Sequence, residues 1–405
     1  MLSTYIPPQS FNLGERKEYK NINNVQTLIH VPVNAQFIPL RSVLKLFFEI
    51  PEIFDQTLEY LEELYTNDEI ITNFVQAEYW KSRRQTFGDR LVLPLVLYFD
   101  DYENNNPLGP HRGISKTGAV YVSIPCLPLQ YQSKLENIFV FCSFNSLDRQ
   151  IFSNSIVFSK VIEELNFLND SGIVVELGKE QKTIFFELVL IVADNLGLHS
   201  MLGLSESFNA NRFCHHCLIY KSEKSNVFLE RQCELRTTDN YSMLLETKDI
   251  AVTGLKEECV FHKIKNFHMC ENICVDVMHD CWEGICRYDL TLLLNQFIYV
   301  MELFTLEDLN TWLRTFCYGS KFSINKPTEI SQSSIKNGYI IMTSSEMLCF
   351  IRRFNLLVGL KISPDNECWE LFITFKELVT VITSSVIQPR THDVLETLVF
   401  EYLSQ

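Results

Sequence analysis

This chain is short of glycine and of positive charge. Its 405 residues include 14 glycines, and 35 Lys and Arg are outnumbered by 50 Asp and Glu, which gives a formal net charge of −15 at pH 7. Domains that grip nucleic acid over a broad surface are strongly basic, so that class is excluded for the chain as a whole. Local DNA contact beside an acidic metal site is compatible with this charge if most of the DNA affinity comes from outside the chain.

Segments that direct a protein to a membrane or to secretion are also missing. The N-terminus, Met1–Pro8, has neither a basic start nor an apolar core. The longest apolar stretch, Leu290–Phe304, is interrupted by Asn295, Gln296 and Glu302, which excludes a membrane-spanning helix. The 13 cysteines are an odd count without a secretory signal, so most are expected to be reduced thiols. We expect a nuclear or nucleocytoplasmic protein, neither secreted nor membrane-inserted.

The apolar content is high, at 46% with 12% aromatic residues, which is enough for a large core in two or three units. Local patterning changes three times along the chain. It predicts an extended lead-in with a helical segment over 1–90 and the first half of a core over 91–194. A Cys- and His-rich zinc-binding insertion follows over 195–275, and a helical region over 276–405 completes the core.

Apolar runs in the second of these segments predict five strands and one helix. The strands cover 91–100, 119–124, 138–144, 172–177 and 183–193, with the helix over 151–168. Three strands, a helix and a further strand are the order of the first half of a ribonuclease H-like fold, in which the first and last of these strands are neighbours. The sequence therefore predicts an α/β protein with a ribonuclease H-like core of mixed sheet and helices, a Cys/His-rich insertion and all-helical flanking segments.

Acidic residues end two of the predicted strands. Asp100 and Asp101 end the first, and Asp194 directly follows the last. Because neighbouring strands of this fold bring such ends together, we expect the carboxylates to meet, as in a two-metal phosphoryl-transfer site. A basic cluster follows the Asp pair and would put positive charge beside a phosphate: His111, Arg112 and Lys116.

A further acidic group lies near the start of the last segment. Four side chains are spaced i, i+3, i+4 and i+7, which places them on one face of an α-helix: Asp276, His279, Asp280 and Glu283. Carboxylates one turn apart repel unless a divalent cation or a basic partner balances them, so the stripe is compatible with a metal site. The alternative interpretation is a solvent-facing acidic helix beside two unrelated strand-end aspartates.

A cysteine–histidine cluster lies between these acids. Cys214 and Cys217 form a C-x-x-C pair, which supplies half of a four-ligand structural zinc site. His268 and His279 are the preferred second half, and the substitutes are Cys270, Cys274, His262 and Asp276. The alternative interpretation is a set of buried reduced cysteines with two exposed histidines.

Four ordered motifs resemble those of CACTA (En/Spm-type) transposases and their animal relatives. They are Leu-Tyr-Phe-Asp-Asp-Tyr-Glu-x3-Pro-Leu-Gly (97–109), Val-Ala-Asp-Asn-Leu-Gly-Leu-His (192–199), Phe-Cys-His-His-Cys (213–217) and Asp-Val-Met-His-Asp-Cys-Trp-Glu-Gly (276–284). Many eukaryotic cut-and-paste transposases share the order Asp, Asp, C-x-x-C, [Cys/Asp]-x-x-His and Glu.

The resemblance implies a DDE-type core that uses two Mg²⁺ ions to cleave and transfer DNA strands, beside a structural zinc. It implies catalytic metal ligands at Asp100, Asp194 and Glu283, with Asp101 as rival for the first and Asp280 and Asp289 as rivals for the last. An active protein is expected to bind transposon ends as a homo-oligomer.

The chain departs from these relatives at both ends, since it lacks an N-terminal DNA-binding module and stops at Gln405. A truncated or domesticated copy is therefore expected. Three functions stay open: an active transposase, a catalytically inactive remnant that acts as a protein-interaction module, and an unrelated zinc-binding interaction module.

Overall fold

The computed structural model describes residues 5–67, 69–103, 116–319 and 324–405. The predicted loop after Glu103, with His111 and Arg112, lies outside these residues. The chain divides into two compact units, which are Met1–Lys224 with Cys233–Cys274, and Ser225–Gln232 with Val275–Gln405. Most of the segment predicted as an insertion therefore belongs to the first unit. None of the described helices is long and apolar enough to cross a membrane.

Within the described residues of the first unit, seven strands form one mixed sheet in the order β1-β2-β5-β4-β3-β7-β6. The strands are β1 Gln9–Ile22, β2 Val25–Phe37, β3 Leu91–Glu103, β4 Lys116–Ser123, β5 Phe139–Asn145, β6 Ile173–Leu177 and β7 Glu180–Ala193. Neighbours are antiparallel, except that β3 and β7 run parallel. The prediction of an α/β protein is confirmed.

Helices accompany this sheet along the first unit. They are α1 Leu40–Phe48, α2 Ile53–Thr66, α3 Glu78–Arg84, α4 Ser146–Phe152, α5 Asn154–Val157, α6 Ser159–Asp170, α7 Asn195–Leu202, α8 Thr238–Thr247 and α9 Ile250–Thr253. The single helix predicted over 151–168 is divided among α4, α5 and α6. Ser153, with a φ of 69°, separates α4 from α5, and Phe158, with a ψ of 6°, separates α5 from α6.

The central strand β3 explains why the core forms here. Its first half is a nearly continuous apolar run, and Val92, Leu93, Leu95, Leu97 and Phe99 are buried. A strand that is covered on both faces needs such a run, because the side chains on both of its faces are buried. The strand becomes polar at Asp100, where the sheet edge opens to solvent.

The first strands were not predicted from the sequence. Residues 9–37, expected as an extended lead-in, form the β1–β2 hairpin. Asn23 and Asn24 join the strands with φ values of 50° and 62°, a backbone that Asn tolerates better than most residues. The Asn-Asn pair was the available signal for this turn.

The second unit is helical around its own buried core. Its elements are a π-helix at Met278–Ile285, α10 Cys286–Asn295, a π-helix at Gln296–Val300, α11 Leu306–Thr315, α12 Gln332–Asn337, α13 Ser344–Val358, α14 Glu367–Ile382 and α15 Thr391–Ser404. The segment that the acidic spacing predicts to be helical is helical over 278–300, but π-helical turns lie on both sides of α10 and Gly284 has a non-helical backbone. The four side chains Asp276, His279, Asp280 and Glu283 therefore do not follow the 3.6 residues per turn that their spacing presumed.

Candidate active site

The strand ends of β3 and β7 meet as expected. Phe99 pairs with Ala193 in parallel register, so the residues that follow them lie side by side. Asp101 and Asp194 line one pocket of about 230 Å³. We call it the acidic pocket, and its lining is Phe99, Asp101, Lys116, Ser146, Leu147, Arg149, Gln150, Asp194, Leu196, Gly197, Ser200 and Glu206.

Strand alternation decides between the two neighbouring aspartates of β3. Asp101 shares a face with buried Phe99, whereas Asp100 shares the opposite face with Tyr98. The Tyr98 ring lies 6.3 Å from that of Tyr121. Burial raises the pKa of Tyr121, and Asp100 is among the smaller causes that raise it further. Asp101 rather than Asp100 therefore shares the pocket with Asp194.

The carboxylate of Asp101 is held by α4. Ser146 Oγ donates a hydrogen bond to its Oδ1 at 2.6 Å, and Arg149 Nη2 donates to its Oδ2 at 3.3 Å. Across the sheet, a Cβ on Gly118 would lie 3.0 Å from Oδ1 and 2.5 Å from the Phe144 ring. Glycine at position 118 therefore leaves room for this carboxylate.

The carboxylate of Asp194 begins α7. Its Oδ1 accepts a hydrogen bond of 2.5 Å from the backbone N–H of Gly197, as the N-cap residue of that helix. A Cβ on Gly197 would lie 2.8 Å from the same oxygen. Helix capping fixes one carboxylate oxygen in the pocket, and the glycine permits the close approach.

Arg149 is one of the pocket residues that sequence reasoning missed. Its side chain is 9% exposed, and its guanidinium carbon lies 4.8 Å from the centre of the Phe99 ring. Nε and Nη1 are buried, and the described residues give them no hydrogen-bond partner. Burial lowers the pKa of Arg149, while the charges of Asp101, Glu206 and Asp194 oppose that change. Nothing local in the sequence marks it, because its partners are distant along the chain.

Two further charged residues complete the pocket lining. Lys116 belongs to the predicted basic cluster, and it lines the pocket together with the acids. Glu206 was not predicted, and its Oε1 accepts a hydrogen bond of 3.0 Å from Lys256. Three carboxylates and two cationic side chains thus surround one small volume.

The other predicted acids lie in the second unit. Glu283 accepts a hydrogen bond of 3.0 Å from Ser344 Oγ and pairs with Arg287 at 3.5 Å. Asp276 Oδ1 accepts from the backbone N–H groups of Met278 and His279, and Oδ2 contacts His279 Nδ1 at 2.5 Å. These contacts explain how the acidic group is tolerated without a metal.

The rival acids of that unit have different surroundings. Asp289 accepts a hydrogen bond from Tyr402, and burial raises the pKa of Asp289. Asp280 lies in the first turn of the π-helix. The predicted ligands Asp194 and Glu283 belong to different units.

The C-x-x-C pair lies in the first unit, where its backbone pairs with a second segment. Cys217 bridges Leu235, Leu218 N donates to Glu234 O at 2.8 Å, and Arg236 N donates to His216 O at 2.9 Å. This pairing brings in the segment that contains Cys233, and both Cys214 and Cys233 influence the pKa of Cys217. We call Cys214, Cys217, Cys233 and Arg236 the cysteine knuckle.

A buried cation faces these sulfurs. Arg236 is 4% exposed, and its Nε donates to Cys214 O at 3.1 Å. Nη1 and Nη2 have no hydrogen-bond partner among the described residues. Burial lowers the pKa of Arg236, and the groups that oppose this change most are Cys214, Cys270 and Cys217. The hydrogen bond from Cys214 lowers the pKa of Cys217, so Cys217 is favoured as the thiolate of the pair.

The predicted histidine ligands have other partners. His268 stacks on His262 with ring centres 4.1 Å apart, and its Nδ1 accepts from the backbone N–H of Cys270 at 3.2 Å. His279 belongs to the second unit, where it contacts Asp276. Among the residues that the structure describes, no group of three or more His, Cys, Asp or Glu side chains is arranged to hold a metal ion.

The sequence matches no known protein family, and no curated protein matches it. The argument for a function therefore comes from the geometry of the two sites in the first unit together with the ordered sequence motifs.

Proposed function

We propose that this protein is transposase-derived and that its acidic pocket cleaves DNA strands with the help of divalent metal ions. The observation that carries the proposal is the meeting of Asp101 and Asp194 at the ends of adjacent parallel strands, in one pocket with Lys116. Acidic strand ends of this kind are how two-metal phosphoryl-transfer sites are assembled. The four ordered sequence motifs support the same class.

The pocket's donor set is suited to Mg²⁺ in kind. Magnesium prefers carboxylate oxygens and retains several waters, so one or two carboxylates suffice as protein ligands. Asp101 and Asp194 would hold the metal, with Glu206 as a nearby third acid and Glu283 as the acid that the resemblance implies. A cavity of about 230 Å³ has room for a hydrated ion.

The chemistry that bound Mg²⁺ supplies is activation of a water or 3′-hydroxyl and stabilisation of the leaving oxygen. The chain's own residues orient the ligands. Ser146 fixes one oxygen of Asp101, and the N–H of Gly197 fixes one oxygen of Asp194. Lys116 contributes positive charge that attracts a phosphate group.

The sheet order supports a ribonuclease H-like core as part of this proposal. β5, β4 and β3 are antiparallel neighbours, and β7 adds to β3 in parallel after the α4–α6 helices. β1 and β2 extend one edge of this arrangement, and β6 pairs with β7 at the other.

The cysteine knuckle is proposed as a structural zinc site. Cys214, Cys217 and Cys233 supply three sulfurs from two paired segments, and zinc prefers four such ligands. Cys270 and His268 remain candidates for the fourth. A zinc thiolate carries negative charge, which would give buried Arg236 the anion that its surroundings otherwise lack.

The second candidate function is a catalytically inactive remnant that acts as an interaction module. The observation that favours it is the ion pair of Arg149 with Asp101, which balances an acid of the pocket without any metal. DNA ends and a second copy of the chain stay proposed partners of the active form.

A nicking assay on supercoiled plasmid DNA with Mn²⁺ tests the proposal. The wild-type chain should convert supercoiled to open-circular DNA, and D101N and D194N should abolish the conversion. D100N is the matched control, one residue away on the opposite face, and should retain it. No metal-dependent nicking in the wild type would favour the inactive remnant. Equal loss in D100N and D101N would instead contradict the assignment of Asp101, rather than Asp100, to the site.

A further inference from the structure

The position of Arg149 in the acidic pocket gives it a role beyond packing. Its one pocket hydrogen bond joins Nη2 to Asp101 Oδ2 at 3.3 Å, although the side chain is 9% exposed. Within the part of the chain that the structure describes, Nε and Nη1 have no hydrogen-bond partner. A buried guanidinium offers five N–H donors, so this one is poorly satisfied.

A second arginine of the same unit shows what a satisfied pair looks like. Arg83 donates from Nε to Glu187 Oε1 and from Nη2 to Glu187 Oε2, both at 2.8 Å. That bidentate geometry fixes both partners. Arg149 instead makes one long contact with a carboxylate that Ser146 also holds. Its attachment to Asp101 is therefore the weaker of the two.

Charge explains why Arg149 is nevertheless retained in the pocket. Asp101, Asp194 and Glu206 line the same volume, and Lys116 is the other cation there. Without Arg149, Asp101 and Asp194 would face Lys116, because Glu206 is already paired with Lys256 at 3.0 Å. Like charges crowded in a partly buried site repel strongly, so a resident cation stabilises the pocket when no metal is bound.

We propose that Arg149 is the resident cation of the acidic pocket and competes with a divalent metal ion for Asp101 and Asp194. This inference rests on the proposed function, because it assigns a regulator of metal binding to the same site. A metal that enters while Arg149 stays in place meets a guanidinium beside its ligands. Arg149 must therefore turn away, or an anionic phosphate must enter with the metal, before occupancy is high.

The proposal makes Arg149 a positioning residue that sets metal affinity and couples it to the substrate. Metal and a phosphodiester should bind cooperatively to the wild-type chain. The guanidinium charge repels the metal ion, and the negative charge of the phosphodiester compensates for that repulsion. Removal of the guanidinium charge should make metal binding tighter and less dependent on the phosphodiester.

The test is a Mn²⁺ titration of the full chain, followed by the loss of the free-ion electron paramagnetic resonance signal. It is repeated with and without a short single-stranded oligonucleotide. R149Q should lower the dissociation constant of Mn²⁺ by about tenfold or more, the scale expected for one unit charge a few ångströms away. R149K keeps the charge and should bind Mn²⁺ no more than about threefold tighter than the wild type.

R83Q is the matched control, because it breaks a buried arginine–carboxylate pair outside the acidic pocket. It should destabilise the fold and leave the Mn²⁺ dissociation constant unchanged. R149M is the second variant, in case R149Q does not fold, since its apolar side chain still packs on Phe99.

Two results would overturn the inference, and they differ in what they imply for the proposed function. If the wild type and the neutral Arg149 variants bind Mn²⁺ equally well, Arg149 does not compete, and the metal site survives. If neither the wild type nor the neutral variants bind Mn²⁺ even with the oligonucleotide, both the competition and the metal site are wrong.

Discussion

The first unit contains two buried arginines in contrasting surroundings. Arg149 lies among the carboxylates of Asp101, Asp194 and Glu206, whose charges oppose the lowering of its pKa by burial. Arg236 lies among cysteines, which become anions only when they lose a proton, as they do on binding zinc. One site therefore has its countercharge built in, and the other acquires it with a metal. The difference predicts opposite responses of the two sites to metal and to substitution.

The largest expected effect comes from removal of a knuckle sulfur. C233S should lose tightly bound zinc, as should C214S, because each removes one of the three sulfurs proposed as zinc ligands. At a roughly thousandfold excess of free zinc over its dissociation constant, the wild type should gain about 4 kcal/mol in the free energy of unfolding that these variants lack. Zinc content after gel filtration and urea unfolding with and without chelator measure this.

C317S is the control for that comparison, since Cys317 is exposed and belongs to the second unit. It should retain zinc and wild-type stability. A zinc-free wild type whose stability is insensitive to chelator would show that the knuckle is a set of reduced cysteines.

The second-largest effect is expected from removal of the Asp101 carboxylate, which balances the charge of Arg149 in the acidic pocket. D101N leaves Arg149 buried beside a neutral amide, which should lower the free energy of unfolding by about 2–3 kcal/mol in metal-free buffer, less than for a fully buried pair. D100N, on the opposite face of β3, should change it by less than about 0.5 kcal/mol. Urea unfolding of both variants compares them directly, and equal effects would remove the distinction between the two faces.

A lower pH should reduce the free energy of unfolding through His215, which lies between Cys214 and Cys217 of the cysteine knuckle. Burial, and then the charges of His216, His199 and Arg236, lower the pKa of His215 to about 3. Because this value lies below the unfolded value of about 6.5, the unfolded chain binds more protons at acidic pH. The stability that neutral His215 contributes is present above pH 6.5 and is lost as the pH falls toward 3.

In chelator, the free energy of unfolding should therefore fall by about 1 kcal/mol per pH unit from His215 between pH 6 and pH 4. H215Q should reduce this slope, and H392Q, which changes an exposed histidine of the second unit, should not. Unfolding curves at several pH values provide the measurement. Equal slopes for the wild type and H215Q would show that His215 is not held neutral.

The smallest effect is expected from R236M, which should have opposite consequences in the absence and in the presence of zinc. R236M removes a buried charge that lacks a carboxylate partner, so in chelator it should raise the free energy of unfolding by about 1 kcal/mol. With zinc present, the same change should weaken zinc binding, because the thiolates lose their countercharge. R149M in metal-free buffer should lower stability instead, since it leaves the carboxylates facing each other. The same sign for both variants in the metal-free state would contradict the contrast between the two arginines.

Sequence periodicity was informative where local pattern determines structure. The apolar run of β3 and the run that ends at Ala193 predicted two strands, and their terminal acids meet in the structure. The choice between Asp100 and Asp101 needed the register of the strand, which the run alone does not fix. Arg149, Glu206 and Cys233 were missed because tertiary packing brings them to sites whose other members are distant in sequence.

The second unit shows the opposite case. The spacing of Asp276, His279, Asp280 and Glu283 presumed a regular α-helix, and the π-helical turns change the angle between them. Gly284 was the available signal, since a glycine inside a helical pattern often marks such an irregularity.

The central claim is that Asp101 and Asp194 together bind a catalytic divalent ion. Its most direct test is anomalous diffraction at the manganese edge from crystals of the wild-type chain and R149Q soaked at saturating Mn²⁺. We predict a peak within coordination distance of carboxylate oxygens from both residues in each of these proteins, and no peak in D101N. No peak in either protein, or a peak on Asp100 instead of Asp101, would contradict the claim.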